Sequence, residues 1–175
     1  PGRDMSRAYN LWRGFTFTPD PTGDWSLFEE HLRQNVAQGN DSLFRWIIGW
    51  FAHMIQYPLR KSGTSLAIRG KQGVGKTIVG THMGSLIRDN YVYVDDPRYV
   101  LGNFNSHMAH ALLLHADEGF FAGDPRHVGR LKGMVTSNTN RIELKGKDSF
   151  EINNYMRLFI TSNEEWIVPA GFEER

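Results

Sequence analysis

The stretch Gly70-Lys71-Gln72-Gly73-Val74-Gly75-Lys76-Thr77 decides how the rest of the chain is interpreted. It fits the pattern G-x-x-x-x-G-K-[ST], in which a glycine-rich loop points successive backbone N–H groups at phosphate oxygens. The glycines permit tight turns, Lys76 supplies positive charge for the outer phosphates, and the Thr77 hydroxyl can ligate Mg²⁺. All eight residues are therefore candidates for binding a nucleotide.

The sequence on both sides of this loop supports the interpretation. The short apolar run at 65–69 precedes it and suits a buried strand. After the loop, one helical stripe contains Val79, Met83, Leu86 and Ile87. Strand, loop and helix in this order are the required setting, because the helix then points its N-terminus at the bound anion. The alternative is a glycine-rich turn that contains Gly-Lys-Thr by chance.

The composition limits the classes of protein to consider. The chain has 175 residues, of which 40% are hydrophobic and 13% aromatic, enough for a packed core in one domain with an appended subdomain. Because the net charge is only +1, any contact with nucleic acid must be local. The absence of cysteine rules out disulfides and thiolate–metal sites and fits a reducing compartment. Without a signal peptide or a membrane-spanning apolar run, we expect a cytoplasmic protein with no membrane partner.

We expect two segments within a fragment of a longer protein. Residues 1–60 are predicted to form a lead-in and a helical segment, and residues 61–175 a nucleotide-binding core that is cut short at its C-terminus. Of the predicted helices, the second is capped by Asp41 and ends at Tyr57, because the following proline disfavours a helix there. It is apolar nearly all round, so we expect it to be largely buried.

A second nucleotide-related feature follows the apolar run at 111–116. Asp117 and Glu118 come directly after this predicted strand. The C-terminal ends of parallel strands meet at one edge of a sheet, so the pair should lie beside the glycine-rich loop. Asp117 is predicted to hold Mg²⁺ opposite Thr77, and Glu118 to polarise an attacking water as a general base.

A last apolar strand is predicted over residues 157–163, and it ends in a polar Thr-Ser-Asn. At the edge of the sheet, the Asn163 side chain can hydrogen-bond a phosphate or a water. An ordinary cap or strand-end turn explains it equally well.

Two further polar groups have simpler interpretations. Asp95-Asp96-Pro97 follows the β-favouring run at 91–94, and a strand-ending turn is favoured over a pair of metal ligands. His107, His110 and His115 are close in sequence, but their spacing does not match a helical zinc pair and no carboxylate completes the set. A zinc site is therefore disfavoured.

Alternating residues over 141–152 predict a β-hairpin whose tip carries Lys145 and Lys147. A short helix at 127–135 precedes it and carries Lys132. The two tip lysines either lie in a solvated turn or bind a phosphate backbone, and the sequence leaves both interpretations open.

Four of these features, in this order, resemble motifs A, B, B′ and C of superfamily 3 helicases, most closely those of phage, plasmid and virus-type primase-helicases. The matching stretches are 70–77, 112–118, 131–133 with the lysine hairpin, and 159–163, with a similar lead-in at 10–15. The resemblance implies an α/β fold with a P-loop NTPase (AAA+-like) core. That core has a central, mainly parallel sheet flanked by helices, a β-hairpin insertion and an N-terminal helical segment.

The resemblance also implies an activity. Proteins of this family are ATP-hydrolysing helicases or translocases, which here would use ATP and Mg²⁺ and act on single-stranded DNA in phage or plasmid replication. They assemble as homo-oligomeric rings, usually hexamers. An ATP-binding, DNA-binding or assembly module without motor activity remains an alternative. A P-loop kinase is less favoured, because a kinase does not require Glu118 beside Asp117.

The family's functional residues carry over onto matching positions. The catalytic set comprises Lys76, Asp117, Glu118, Asn163 as sensor of the γ-phosphate, and Arg175 near the place of an arginine finger. Thr77 and Asp117 serve the metal. The expected DNA contacts are Lys132, Lys145 and Lys147.

Overall fold

The computed structural model describes residues 14–15, 17–117 and 125–163, with the backbone alone for residues 125–128. Its helices are α1 (Ser26–Glu30), continued by a π-helical segment (His31–Val36), α2 (Asp41–Gln56), α3 (Lys76–Ile87), α4 (Pro97–Leu101) and α5 (Pro125–Thr136), with 3₁₀ turns at Arg88–Asn90 and Ser106–Met108. Its strands are β1 (Leu66–Arg69), β2 (Tyr91–Val94), β3 (Leu113–Asp117), β4 (Thr139–Ile142), β5 (Phe150–Asn153) and β6 (Arg157–Ser162).

Four parallel strands form the central sheet in the order β1-β6-β3-β2. In register, Leu66 of β1 is the partner of Phe159 in β6, and Asp117 of β3 is the partner of Thr161 in β6. Strands β3 and β6 are buried along their whole length, which explains their nearly continuous apolar sequences. Strands β4 and β5 form a separate antiparallel hairpin, as predicted. The coarse prediction of an α/β fold with a parallel sheet flanked by helices is confirmed.

The sheet buries a hydrophobic cluster on each face, because successive side chains of a strand point to opposite sides. On one face, Leu113 and Phe159 pack in a cluster with residues of α2 and α3. On the other face, Leu114 and Ile160 pack in a cluster with residues of α4 and α5. The first cluster joins the N-terminal helices to the sheet in one core, whereas the division of the chain at residue 60 stays a prediction.

A buried arginine fastens the end of α2 to the sheet. Arg157, the first residue of β6, is 1% exposed, and its guanidinium donates to the carbonyl oxygens of Tyr57, Pro58 and Arg60 at 2.8, 3.0 and 2.5 Å. These carbonyls follow the last turn of α2, where the helix dipole also favours a positive charge. Burial lowers the pKa of Arg157 to about 10. The connection after α2 is therefore held to the core by a desolvated cation.

Helix α2 differs from its prediction in two respects. Its N-cap is Asn40, whose side chain accepts a hydrogen bond from the Leu43 amide at 3.0 Å, and Asp41 is the first helical residue instead of the cap. The helix is not buried all round, because Leu43 and Trp46 are 42% and 46% exposed. No helix in the described ranges is both long and apolar enough to cross a lipid bilayer.

Candidate functional site

The glycine-rich loop connects β1 to α3. Gly73 and Gly75 have φ angles of 81° and 84°, a left-handed conformation that glycine adopts without strain. The amide N–H of Gly70 donates to the carbonyl oxygen of Ser162 at 3.1 Å, which anchors the start of the loop to β6. The loop is therefore shaped by its glycines and fixed to the sheet at one end.

The first two residues of α3 direct their side chains inward. Lys76 is 6% exposed, and its Nζ atom donates to the carbonyl oxygen of Lys71 at 2.9 Å. The Thr77 hydroxyl donates to Oδ2 of Asp117 at 2.9 Å, across 40 residues of sequence. Because Asp117 ends β3 and the loop before Thr77 follows β1, this contact lies at the C-terminal edge of the sheet, where the sequence predicts it. A buried ammonium group, a hydroxyl and a carboxylate thus occupy one corner of the sheet.

Three hydroxyl groups surround the carboxylate of Asp117. Thr77 and Tyr93 donate to Oδ2, the latter at 2.8 Å, and Thr161 donates to Oδ1 through a very short hydrogen bond. Burial raises the pKa of Asp117, but the hydrogen bonds from Thr161, Tyr93 and Thr77 outweigh that effect and leave the pKa below its ordinary value. The group is therefore held as a carboxylate, the form that binds a metal ion.

A buried chain of hydrogen bonds continues from Thr161 into the core. The His115 Nε2 atom lies 2.8 Å from Thr161 Oγ1, and the Tyr91 hydroxyl lies 2.7 Å from His115 Nδ1. Because Thr161 donates to a carboxylate, it must accept from His115, so the proton is on Nε2 and Tyr91 donates to Nδ1. Burial lowers the pKa of His115 to about 4, against a smaller opposing effect of Asp117. The direction of each hydrogen bond in this buried series is therefore fixed.

Two glycines let α3 pack directly on this chain. A Cβ atom at Gly80 would lie 2.6 Å from Cε1 of His115, and one at Gly84 would lie 2.5 Å from Cγ of Tyr91. Real Cβ atoms do not approach other atoms so closely, so any side chain at either position would push the helix off the sheet. The helix that begins with Lys76 is thus positioned by the same rings that orient Asp117.

Other polar residues singled out in the sequence have structural roles. β2 ends at Val94 as predicted, and Asp96 caps α4 by accepting from the Arg98 amide at 2.9 Å. The His107 ring contacts the Tyr99 carbonyl oxygen at 2.8 Å, whereas His115 lies in the core. Within residues 14–15, 17–117 and 125–163, no three His, Cys, Asp or Glu residues are grouped so as to hold a metal ion.

The remaining predicted site residues do not join this corner or are not described. Asn163 follows β6, at the same edge of the sheet, and its side chain is exposed. The predicted DNA-contacting lysines are also exposed, two of them on the loop between β4 and β5 and one on α5: Lys145, Lys147 and Lys132. Glu118 and Arg175, together with residues 10–13 of the predicted lead-in, lie outside the described residues.

Sequence reasoning missed three residues around Asp117, namely Tyr93, Thr161 and His115. Thr161 stands two positions before Asn163 in the same polar strand end, but its role depends on its register opposite Asp117. Tyr93 and His115 occupy equivalent positions of neighbouring strands, which also becomes apparent only when the strands are paired. A known strand order would have indicated all three.

Comparison with known proteins gives a consistent set of relatives. A model of a family described as a family of unknown function (DUF5906) matches residues 68–175. A DNA primase-polymerase of Nitratiruptor phage NrS-1 is 27% identical over 159 residues, which cover 88% of this chain and 21% of that protein. The chain thus spans about a fifth of that relative's length.

Solved structures of the NrS-1 C-terminal region share this fold. One apo structure superposes with a TM-score of 0.77 at 24% identity, covering 91% of this chain and 40% of the other. A second, the A form apo structure, gives 0.75 at 23% identity, covering 89% and 37%. At this level of identity the likeness concerns the fold alone.

These relatives correct the function expected from the sequence. The prediction of an ATP-hydrolysing DNA helicase or translocase is wrong, because the matching relative is a DNA primase-polymerase. The assignments to superfamily 3 and to an AAA+-like P-loop NTPase core are not confirmed. The match over more than half of its residues shows that the chain belongs to the DUF5906 family.

Proposed function

We propose that this chain is part of a phage-type DNA primase-polymerase. Within that protein it binds a nucleoside triphosphate together with Mg²⁺, and ATP is the first candidate. The observation that carries the proposal is the 2.9 Å contact between the Thr77 hydroxyl and the Asp117 carboxylate, beside the buried Lys76. The relative from phage NrS-1 supports a role in DNA synthesis. Because the chain matches only part of that protein, the reaction of the whole is part of the proposal.

The residues present fit a magnesium nucleotide. Loop amides at the N-terminus of α3 suit phosphate oxygens, and Lys76 can exchange the Lys71 carbonyl for a phosphate. The Thr77 hydroxyl and the Asp117 carboxylate are oxygen ligands of the kind that Mg²⁺ prefers. When bound, the metal would neutralise phosphate charge. Roles for Glu118, Asn163 and Arg175 stay predictions; of the three, Asn163 is a described residue, and it is exposed at the same edge of the sheet.

A second part of the proposal concerns DNA. The exposed Lys145 and Lys147 stand on the loop of the β4–β5 hairpin, and Lys132 is exposed on α5, the helix that precedes the hairpin. Positive groups on a protruding loop attract a phosphate backbone. We propose that they bind single-stranded DNA.

A ring of subunits in the longer protein is a further expectation, which mass measurement of the longer protein with nucleotide would test.

The nucleotide site is tested by titrating a fluorescent ATP analogue into the chain with Mg²⁺ or with EDTA. We expect saturable binding that Lys76→Ala abolishes, and that Asp117→Asn makes insensitive to removal of Mg²⁺. Arg45→Ala is a charge-matched control, since Arg45 is an exposed residue of α2 paired with Asp41 at 3.2 Å. Absence of nucleotide binding by the unaltered chain, or equal binding by Lys76→Ala, would overturn the proposal.

A further inference from the structure

The N-terminal helical segment touches the glycine-rich loop through one imidazole ring. His31 is the first residue of the π-helical segment, and its Nε2 atom lies 3.0 Å from the carbonyl oxygen of Gly75. The side-chain nitrogen Nδ2 of Asn35 lies 2.9 Å from His31 Nδ1. The first contact connects the segment before position 60 with the loop that we propose binds phosphate, and the second lies within that segment.

These two contacts determine the tautomer of His31. A carbonyl oxygen only accepts hydrogen bonds, so Nε2 carries the proton and donates to Gly75. The amide nitrogen of Asn35 only donates, so His31 Nδ1 accepts. Asn35 therefore selects the tautomer that binds the loop and also fixes the orientation of the ring.

The loop accommodates the His31 ring because residue 75 is a glycine. A Cβ atom at Gly75 would lie 2.6 Å from Cε1 of His31, and the φ angle of Gly75 is +84°. A side chain there would both strain the backbone and displace the imidazole. The helix that carries His31 is wound as a π-helix, a rare form frequently found at functional sites. Loop and helix are thus fitted to each other at Gly75.

The contact acts on the backbone that faces the nucleotide. The carbonyl of Gly75 and the N–H of Lys76 belong to one planar trans peptide and point in opposite directions. A hydrogen bond that holds the carbonyl toward His31 therefore also fixes the direction of the Lys76 N–H. That amide is among the loop donors in the proposed phosphate site.

We propose that His31, oriented by Asn35, is a positioning residue that sets the nucleotide affinity of the loop from the N-terminal helical segment. The inference rests on the proposed nucleotide site. It assigns a function to a helix that lies outside the glycine-rich loop and its flanking strand and helix. By linkage, nucleotide binding must in turn strengthen the contact between His31 and the loop.

The test compares the Mg²⁺-dependent affinity for a fluorescent ATP analogue across variants, well below their melting temperatures. We expect His31→Ala and Asn35→Leu to weaken binding about three- to tenfold, the size of one net hydrogen bond. His31→Gln keeps an N–H donor and should recover part of the loss. A purely structural role would lower the melting temperature without this pattern of affinities. Arg45→Ala is the control.

A second measurement is independent of the nucleotide. ¹⁵N spectra of the histidine rings should show His31 with a protonated Nε2 and an unprotonated Nδ1, and Asn35→Leu should alter that signal. If the unaltered chain binds nucleotide and both His31→Ala and Asn35→Leu bind equally well, the inference fails and the nucleotide site stands. If the unaltered chain binds no nucleotide, both fail. The opposite tautomer of His31 would also overturn the inference.

Discussion

The Nε2 atom of His115 lies 2.8 Å from the hydroxyl oxygen of Thr161 on the neighbouring strand, and this contact fixes the direction of the Thr161 hydrogen bond to Asp117. The His115 ring is fully buried, so no water competes for Nε2. The carboxylate in the proposed metal site is therefore oriented from inside the core. Substitutions in this chain of hydrogen bonds should therefore affect both the stability of the fold and the proposed binding of Mg²⁺.

The first prediction concerns Thr161→Val, which keeps the side-chain shape and removes the hydroxyl. It leaves the His115 Nε2–H and the Asp117 Oδ1 atom without this partner, so we expect the free energy of unfolding to fall by about 1–3 kcal/mol. Mg²⁺-dependent nucleotide binding should weaken as well. Urea unfolding and nucleotide titration measure the two effects. Thr81→Val is the matched control, because the exposed Thr81 hydroxyl bonds backbone carbonyls of its own helix. Equal stability of Thr161→Val and Thr81→Val would contradict a stabilising role for this chain of hydrogen bonds.

The second prediction concerns the packing of α3 on the sheet. In Gly80→Ala the new methyl group would lie 2.6 Å from His115 Cε1 and 2.8 Å from Phe159 Cε1, so overpacking should cost about 1–3 kcal/mol. Gly49→Ala is the control, since Gly49 is an exposed residue of α2 and, beyond the adjoining backbone of its own helix, a Cβ atom there would meet no atom of the described residues within 4 Å. That change should stabilise the protein by about 0.5–1 kcal/mol through helix propensity. Thermal unfolding distinguishes the two, and stabilisation by both alanines would contradict the close approach of α3.

The third prediction concerns pH. Burial, with a smaller effect of the positive Arg157, lowers the pKa of Lys61 from 10.5 to about 8. Between these two values the unfolded chain binds more protons at Lys61 than the folded chain does. The stability contributed by this residue therefore rises with pH through that window, is complete above 10.5, and is lost as pH falls through about 8.

We expect Lys61→Met to lack this rise in stability between pH 8 and 10.5, as measured by urea unfolding at several pH values. Lys147→Met removes a lysine from the exposed hairpin loop and should retain the rise. The Lys61 ammonium donates to the carbonyls of Met134 and Ser137 at 2.5 and 2.8 Å, contacts that an uncharged amine can also make. A slope that is the same with and without Lys61 would show that burial does not perturb this group.

Much of the fold follows from local sequence pattern. The strands β1, β2 and β6 begin and end close to their predicted limits, because each is a short apolar or β-branched run with polar neighbours. Strand β3 begins at Leu113 instead of residue 111 and includes Asp117, because its pairing with β6 runs from Leu113 to Asp117. The cap of α2 is Asn40 and not Asp41, a choice between adjacent capping residues that local sequence does not settle.

The site was predictable where it depends on position along one strand or loop, and unpredictable where it depends on pairing. Thr77 and Asp117 each stand at the end of a recognisable element, so their meeting follows from a parallel sheet. Thr161 and His115 contribute through strand register, which the sequence does not reveal. The contact of His31 with Gly75 needs the π-helical segment and the docking of two distant elements. Function was mistaken because the same loop pattern serves many proteins that bind nucleotides.

The last prediction concerns the exposed hairpin loop and DNA. Lys145→Ala combined with Lys147→Ala should weaken binding of an oligo-dT strand and reduce its dependence on salt, because each lost phosphate contact lowers the slope of log K against log salt by about 0.7. Nucleotide affinity without DNA should be unchanged. Fluorescence anisotropy over a series of salt concentrations measures the slope.

The control for this double variant removes two positive charges elsewhere. Arg45→Ala with Arg98→Ala changes the net charge equally, and each arginine is an exposed residue already paired with an aspartate, at 3.2 Å to Asp41 and 2.6 Å to Asp96. If binding reflected only the overall charge, both double variants would lose affinity to the same extent. A larger loss and a flatter salt dependence in the hairpin variant alone would place the DNA at that loop. Identical behaviour of the two would mean that the lysines form an ordinary solvated turn.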